Sequence, residues 1–396
     1  MALFSRFSQM VVGRSGFLFS AFAFLGLANC APIPQRAPVP LALIEEAKPY
    51  GVPGPVRRWA NTPEDFTQQD KVSARLWRRP GPHASLALSG GGQHGAYGAG
   101  LLKGWTARGD RPEFEVVTGI STGAIIAVFA FLGNDYDAVL EDIYTQYSTA
   151  QLLQSNRLGA LLGAPALNTA QGYEALIQRY VDDTVVAKLA KTAGQGRRLV
   201  IGTTNLDATR SVHWDVTAIA ASGSPNAKLL IQKVIQASSA LPGIFPPVLM
   251  PVVASDGSTY DEMHVDGGAT QQVTIIGPHA RHFKKGHKAD ASLYMIINEV
   301  AHPAYAPVKP RISKISETAL TSLVNASLDA DSMAIFHAAA ESGLRLRATA
   351  IPSGFTAKPK ELFDTNYMSA LFQLGYQTGR SGKEWTLTPM DLLPPT

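Results

Sequence analysis

Cysteine is almost missing from this chain: Cys30 is the one thiol in 396 residues, so no intramolecular disulfide can staple the fold. Charge is sparse too. Asp, Glu, Lys and Arg make up 17% of the residues and the formal net charge is +4, carried without a long basic run, which argues against nucleic-acid binding. The densest positive stretch, His282-Phe283-Lys284-Lys285-Gly286-His287-Lys288, reads as a solvated loop or a contact to anionic lipid. Acidic residues and histidines do not gather at metal-ligand spacing, and His279 with His282 reads as loop, so neither a metal nor a cofactor is expected. What is plentiful is apolar: 45% of the residues are hydrophobic, enough for a sizeable core.

The N-terminus has the outline of an export signal. Met1 to Gly16 carries Arg6 and Arg14 without an acid, Phe17 to Ala28 is apolar but too short to span a bilayer comfortably, and Leu27-Ala28-Asn29-Cys30 closes it. Those four residues resemble the bacterial lipoprotein box, with Asn29 in place of the usual Gly or Ala. The resemblance implies lipidation of Cys30 and, with Ala31 following, anchoring to the outer membrane of a Gram-negative bacterium. The alternative is a cysteine that happens to end an ordinary signal peptide. Pro32, Pro34, Pro38, Pro40, Pro53 and Pro55 then make an extended tether. The expected organisation is a signal segment over 1–30, a tether and N-terminal segment over 31–83, a catalytic unit over 84–300, and a C-terminal extension over 301–396 packed on it.

From Ala84 apolar runs alternate with helical spacing, with short links between them, which predicts a largely parallel sheet covered by helices on both faces. Strands are expected at Ala84 to Ser89, Phe114 to Thr118, Arg198 to Thr204, Ser211 to Val216, Tyr260 to Asp266 and Ser292 to Asn298. Arg345 to Ile351 alternates like an edge strand. Helices are expected at His94 to Gly109, Ser121 to Leu132, Asp137 to Tyr147, Gln171 to Val181, Lys228 to Ala240, Ile312 to about Ser342, and Phe363 to Thr378. A short one is expected around Gln69 to Trp77. The Leu/Gly/Ala-rich link from Leu152 to Leu167 reads as the wall or lid of a lipid-facing pocket, or equally as core.

Two strand–glycine–helix units stand side by side. Gly119-Ile120-Ser121-Thr122-Gly123 matches Gly-x-Ser-x-Gly, in which the serine sits on a sharp turn at a helix N-terminus, where amides favour developing negative charge. Gly90-Gly91-Gly92 offers bare backbone N–H groups for an oxyanion formed beside Ser121. Only one helix and one strand separate the two, which argues against the α/β-hydrolase plan of Ser, acid and His. A serine hydroxyl needs a base. Asp266, in Val265-Asp266-Gly267-Gly268, ends a predicted strand with two glycines behind it. Alone it reads as a turn residue; with Ser121 and the glycine run it is the preferred base.

Gly90-Gly91-Gly92-Gln93-His94-Gly95, Gly119-Ile120-Ser121-Thr122-Gly123 and Asp266-Gly267-Gly268, in this order and spacing, resemble the patatin-like phospholipase family. Thr204-Asn205-Leu206-Asp207 and the stretch from Ala237 to Pro247 match as well, so that the resemblance covers roughly Ala84 to Gly277. It implies a three-layer α/β/α fold and a Ser/Asp dyad acting on acyl esters of phospholipids or other lipids. Ser121 would be the nucleophile, Asp266 the base, and Gly90, Gly91 and Gly92 the oxyanion hole. His94 stands where the family has Arg or Lys, which makes a lipid-binding lipoprotein without turnover the alternative. A Ser-His-Asp esterase with His264 or His279 as base is the third reading.

Overall fold

The computed structural model describes residues 36–60, 80–156, 159, 164–275, 290–300, 305 and 307–392. Cys30 and the export segment, His279, the 282–288 stretch and the expected helix from Gln69 to Trp77 lie outside them.

The strands are β1 (Lys48–Pro49), β2 (Arg57–Trp59), β3 (His83–Leu88), β4 (Val116–Ile120), β5 (Gln154–Ser155), β6 (Asn168–Thr169), β7 (Arg198–Asn205), β8 (Arg210–Asp215), β9 (Val248–Val253), β10 (Thr259–Asp266), β11 (Ala291–Val300) and β12 (Arg345–Ile351). Apart from the small β5-β6 ribbon they form one 10-stranded sheet in the order β1-β9-β10-β7-β4-β3-β11-β12, with β8 pairing β7 and β2 pairing β8. Neighbours from β7 through β4, β3 and β11 to β12 run parallel. The β9, β10 and β8 pairings are antiparallel. Every residue of β3, β4 and β7 is buried, as parallel strands covered on both faces must be; β4 and the first half of β7 are mostly apolar, whereas Thr203, Thr204 and Asn205 at the end of β7 are buried polar residues. Strand β9, nearer the rim, alternates buried and half-buried residues.

The helices are α1 (Gly95–Arg108), α2 (Thr122–Leu132), α3 (Asp137–Gln146), α4 (Thr149–Leu152), α5 (Gln171–Tyr180), α6 (Asp183–Ala193), α7 (Val216–Ala221), α8 (Ala227–Ser238), α9 (Ile312–Ser342) and α10 (Thr365–Ser381). Leu86, Leu88 and Ile296 point from the sheet into a large core shared with α1, α2 and α10. Ala87, Leu293, Met295 and Ile297, on the other side of the pleat, form a second core with Leu328 and Ile335 of α9. The result is the three-layer α/β/α arrangement. Helix α6 and strand β9 were not expected from the sequence, nor were β1 and β2: instead of an extended tether, the described part of the proline-rich stretch joins the sheet and buries Val39, Ile44, Val52 and Val56 in the core. The signal for α6 is its cap: the Asp182 carboxylate accepts from the Val185 amide at 2.9 Å.

The sheet continues past residue 300. Strand β12 joins β11 in parallel register, and α10 lies on α1 with almost no space between the backbones. A Cβ placed on Gly375 would sit 2.2 Å from the Tyr97 carbonyl oxygen, and one on Gly104 would sit 2.1 Å from that of Tyr376. Small residues at this seam bring the helix axes unusually close.

Candidate active site

Ser121 stands between the end of β4 and the start of α2, with φ 55 and ψ −126. A non-glycine residue held there stores about 1–3 kcal/mol of strain, so the surroundings must enforce the turn. They do so from three sides. The Ser121 amide donates to Ser238 Oγ at 2.9 Å, and that hydroxyl donates to the Gly202 carbonyl at 2.6 Å. Ser239 Oγ donates to the Ser121 carbonyl at 3.1 Å. On the third side, Gly123 lies so near the end of β3 that a Cβ there would be 2.5 Å from the Leu88 carbonyl oxygen. The Ser238-Ser239 pair, noted in the sequence only as part of a matching stretch, is thus the clamp on the turn.

The clamped turn aims the Ser121 hydroxyl at Asp266, donating to Oδ2 at 2.7 Å. The Gly268 amide donates to the other oxygen, Oδ1, at 2.7 Å. Both side chains are buried, Ser121 at 9% and Asp266 at 4% exposure. Burial pushes the Asp266 carboxyl up to about 7, against the opposing pull of its hydrogen bonds from Ser121 and Gly268. The strand β10 and the tight turn after it hold the carboxylate in place, since Asp266 caps the 3-10 turn Gly267–Ala269.

The first glycine turn sits against the second: a Cβ on Gly90 would be 3.3 Å from that of Ser121. Its three amides are not equivalent. Gly90 N–H donates to the Gln272 carbonyl at 3.0 Å and is therefore committed, which corrects the expectation that it lines an oxyanion hole. The Gly91 and Gly92 amides have no acceptor among the described residues. Both residues have positive φ, 142 and 56, and at Gly91 a Cβ would be 1.9 Å from the Asn298 carbonyl oxygen, so only glycine fits.

Residues that the sequence left unmarked hold this turn. Ser89 Oγ donates to the Gly90 carbonyl at 2.7 Å and accepts from the Asn298 amide at 2.8 Å, while Asn298 Nδ2 donates to the Ser89 carbonyl at 3.0 Å. Gln272, whose carbonyl takes the Gly90 amide, donates through Nε2 to the Gly268 carbonyl at 2.6 Å. Its own amide donates to Asp331 Oδ2 at 2.6 Å. Asp331 belongs to α9, so a helix far along the chain braces both the glycine turn and the Asp266 turn. No local pattern could have marked a single aspartate inside a long helix for that task.

The histidines are occupied elsewhere. His264, fully buried, has Nδ1 at 2.9 Å from Thr203 Oγ1 and Nε2 at 3.0 Å from Glu262, with burial holding its pKa down. Neither ring nitrogen is paired with Ser121. His94 meets Glu299 at 3.1 Å and lies beside the Tyr367 ring. Among the described residues no cluster of His, Cys, Asp and Glu could hold a metal ion, and no helix is long and apolar enough to cross a membrane.

A hydroxyl bonded to a buried carboxylate, next to two undirected amides, is an arrangement for nucleophilic attack with oxyanion stabilisation. No curated protein matches the chain. Among solved structures, that of VipD from Legionella pneumophila is similar, with a TM-score of 0.40 and 12% identity. The match covers 76% of this chain and 66% of that one, so the chain spans slightly under two thirds of VipD's length. Residues 86–276 match the family model described as Patatin-like phospholipase, so the chain carries a patatin-like phospholipase domain over that stretch.

Proposed function

We propose that the chain is a lipid acyl hydrolase, a serine carboxylic-ester hydrolase of the phospholipase A or lysophospholipase type. The observation that carries this reading is the 2.7 Å hydrogen bond from Ser121 Oγ to Asp266 within the matched domain. In the proposed reaction Asp266 takes the Ser121 proton as Oγ attacks the ester carbonyl. The tetrahedral oxyanion is held by the amides of Gly91 and Gly92, with Gly90 positioning them. The alcohol leaves with the proton from Asp266, and water, activated by the same carboxylate, hydrolyses the acyl-serine. No metal takes part in this scheme.

The proposal extends to location. Cys30 would carry a lipid anchor, which would hold the catalytic unit close to the membrane that contains its substrate, since the chain is already part of the folded core from Val39 on. Metabolic labelling with a fatty acid that disappears in Cys30→Ser tests this part.

For the chemistry, purified protein and Ser121→Ala are incubated with a mixed lipid extract and the products are read by mass spectrometry. Free fatty acid should appear with the wild type alone. If the variant releases as much fatty acid, the assignment fails. Failure of a fluorophosphonate to label Ser121 in folded protein would favour the lipid-binding reading instead.

A further inference from the structure

Helix α9 is too long for the sheet it covers. It connects β11 to β12, which are parallel neighbours, so it must run antiparallel to both. Only two residues separate its last residue, Ser342, from the start of β12. The whole excess length therefore lies at its N-terminal end, beyond the edge where the strands finish and where Ser89 and Ser121 lie. Its 31 residues span about 46 Å at 1.5 Å each, whereas the 7 residues of β12 span about 23 Å, an overhang of about 20 Å. The brace from Asp331 to Gln272 marks the level of the active site on the helix, and the residues before it project past that level.

The overhang is apolar on the wrong side for packing. Leu328, Ser332, Ile335 and Ala339 are the buried stripe facing the sheet. Ile312, Ile315, Ala319 and Leu323 form a second stripe at helical spacing, and their large members are 86%, 53% and 69% exposed. From Leu323 to Leu328 the helix advances by about 500°, which puts the two stripes about 140° apart, so the second one faces away from the body. Leu320, beside it, is 53% exposed.

Charge indicates what it meets. Lys309, Arg311 and Lys314 are exposed at this end, and from Val300 to Ser316 the sequence has no acidic residue. Cations at a helix N-terminus oppose the helix dipole, so they do not serve the helix. Four side chains on under four turns fall well short of the roughly 1,200–2,000 Å² of a stable protein interface, and two copies would set like charges together. Apolar side chains flanked by cations instead match a bilayer surface with anionic headgroups. At the rim of the site, Leu167 and Leu241 are also exposed, with the Leu167 amide bonded to the Gly243 carbonyl two residues beyond Leu241.

We propose that the N-terminal half of α9 is a docking element that seats the active-site end of the molecule on an anionic phospholipid surface. The proposal rests on the reading of the site as acting on lipid esters, and it is tested separately from it. Full-length protein with Cys30→Ser and Ser121→Ala, free of anchor and turnover, is floated with phosphatidylcholine vesicles with and without phosphatidylglycerol. Phosphatidylglycerol should raise binding. Ile315→Asp with Leu323→Asp, or Lys309→Glu with Arg311→Glu, should lower binding to the anionic vesicles about tenfold. In protein with Ser121 intact, the same pairs should cut hydrolysis of vesicle phospholipid while leaving a soluble short-chain ester turned over at the wild-type rate. Unchanged flotation, or loss of self-association without loss of flotation, overturns the proposal. Normal flotation with no hydrolysis of either ester would instead sink the hydrolase reading and leave the docking surface standing.

Discussion

The two glycine turns, at Gly90 to Gly92 and at Gly119 to Gly123, are near twins in sequence and opposites in structure. Each follows a buried parallel strand and leads into a helix. In the second, the glycines are packing devices: Gly123 lets β3 pass, and the strained residue is the non-glycine Ser121. In the first, the glycines themselves carry the unusual φ, and what they expose is backbone. One turn presents a side chain and the other presents amides. A reaction at an ester carbonyl needs both a nucleophile and donors for the oxyanion, and here the two turns bring a side chain and backbone amides side by side.

The predictions probe that division of labour. Ser121→Ala removes what the second turn presents, and ester hydrolysis should fall by three or more orders of magnitude with the melting temperature preserved. Asp266→Asn keeps the shape and removes the base. A comparable loss of about 10³-fold is expected, together with loss of the pH dependence. In the wild type, Asp266 must be ionised to act, so the rate on a soluble ester should rise with pH through about 7. Stability has the opposite sign. The native carboxyl keeps its proton up to about 7, while the unfolded one loses it near 3.8, so stability falls as pH rises between the two. Urea titrations at acidic and alkaline pH should show this fall in the wild type and its loss in Asp266→Asn.

Gly91→Ala attacks the first turn. The new methyl would collide with the Asn298 carbonyl at a positive φ, so kcat should drop about 100-fold while Ser121 remains intact; reactivity toward a fluorophosphonate would fall in step. Equal rates in the variant would mean that the glycine amides do not hold the oxyanion. Asp331→Ala should have the smallest effect. It leaves the Gln272 amide without its acceptor and loosens the Gly90 anchor, costing about 1 kcal/mol of stability and a few-fold in kcat. Asp331→Asn, whose amide oxygen still accepts, should restore both.

Helices α9 and α10 give a second contrast. Helix α10 is pressed on α1 through glycines, while α9 leaves half its length outside the body. Helical spacing in the sequence marked both helices but could not say which way an apolar stripe would face.

Local pattern, by itself, determined most of what is local. Continuous apolar runs gave buried parallel strands, Gly-x-Ser-x-Gly gave the elbow, and the aspartate before Gly267-Gly268 gave the serine its partner. These follow from backbone sterics and from the period of side chains, which a short stretch carries complete. Tertiary structure decided the rest, because it depends on groups distant in sequence meeting in space. The pairing of Gly90 with Gln272 commits one of the three glycine amides to the protein itself. The serine pair at the end of α8 clamps the elbow, and burial rather than a neighbouring charge brings Asp266 to a useful pKa. The bracing by Asp331, from outside the matched domain, depends on the path of α9 across the sheet. That path follows from chain connectivity, and no window of sequence around Asp331 contains it.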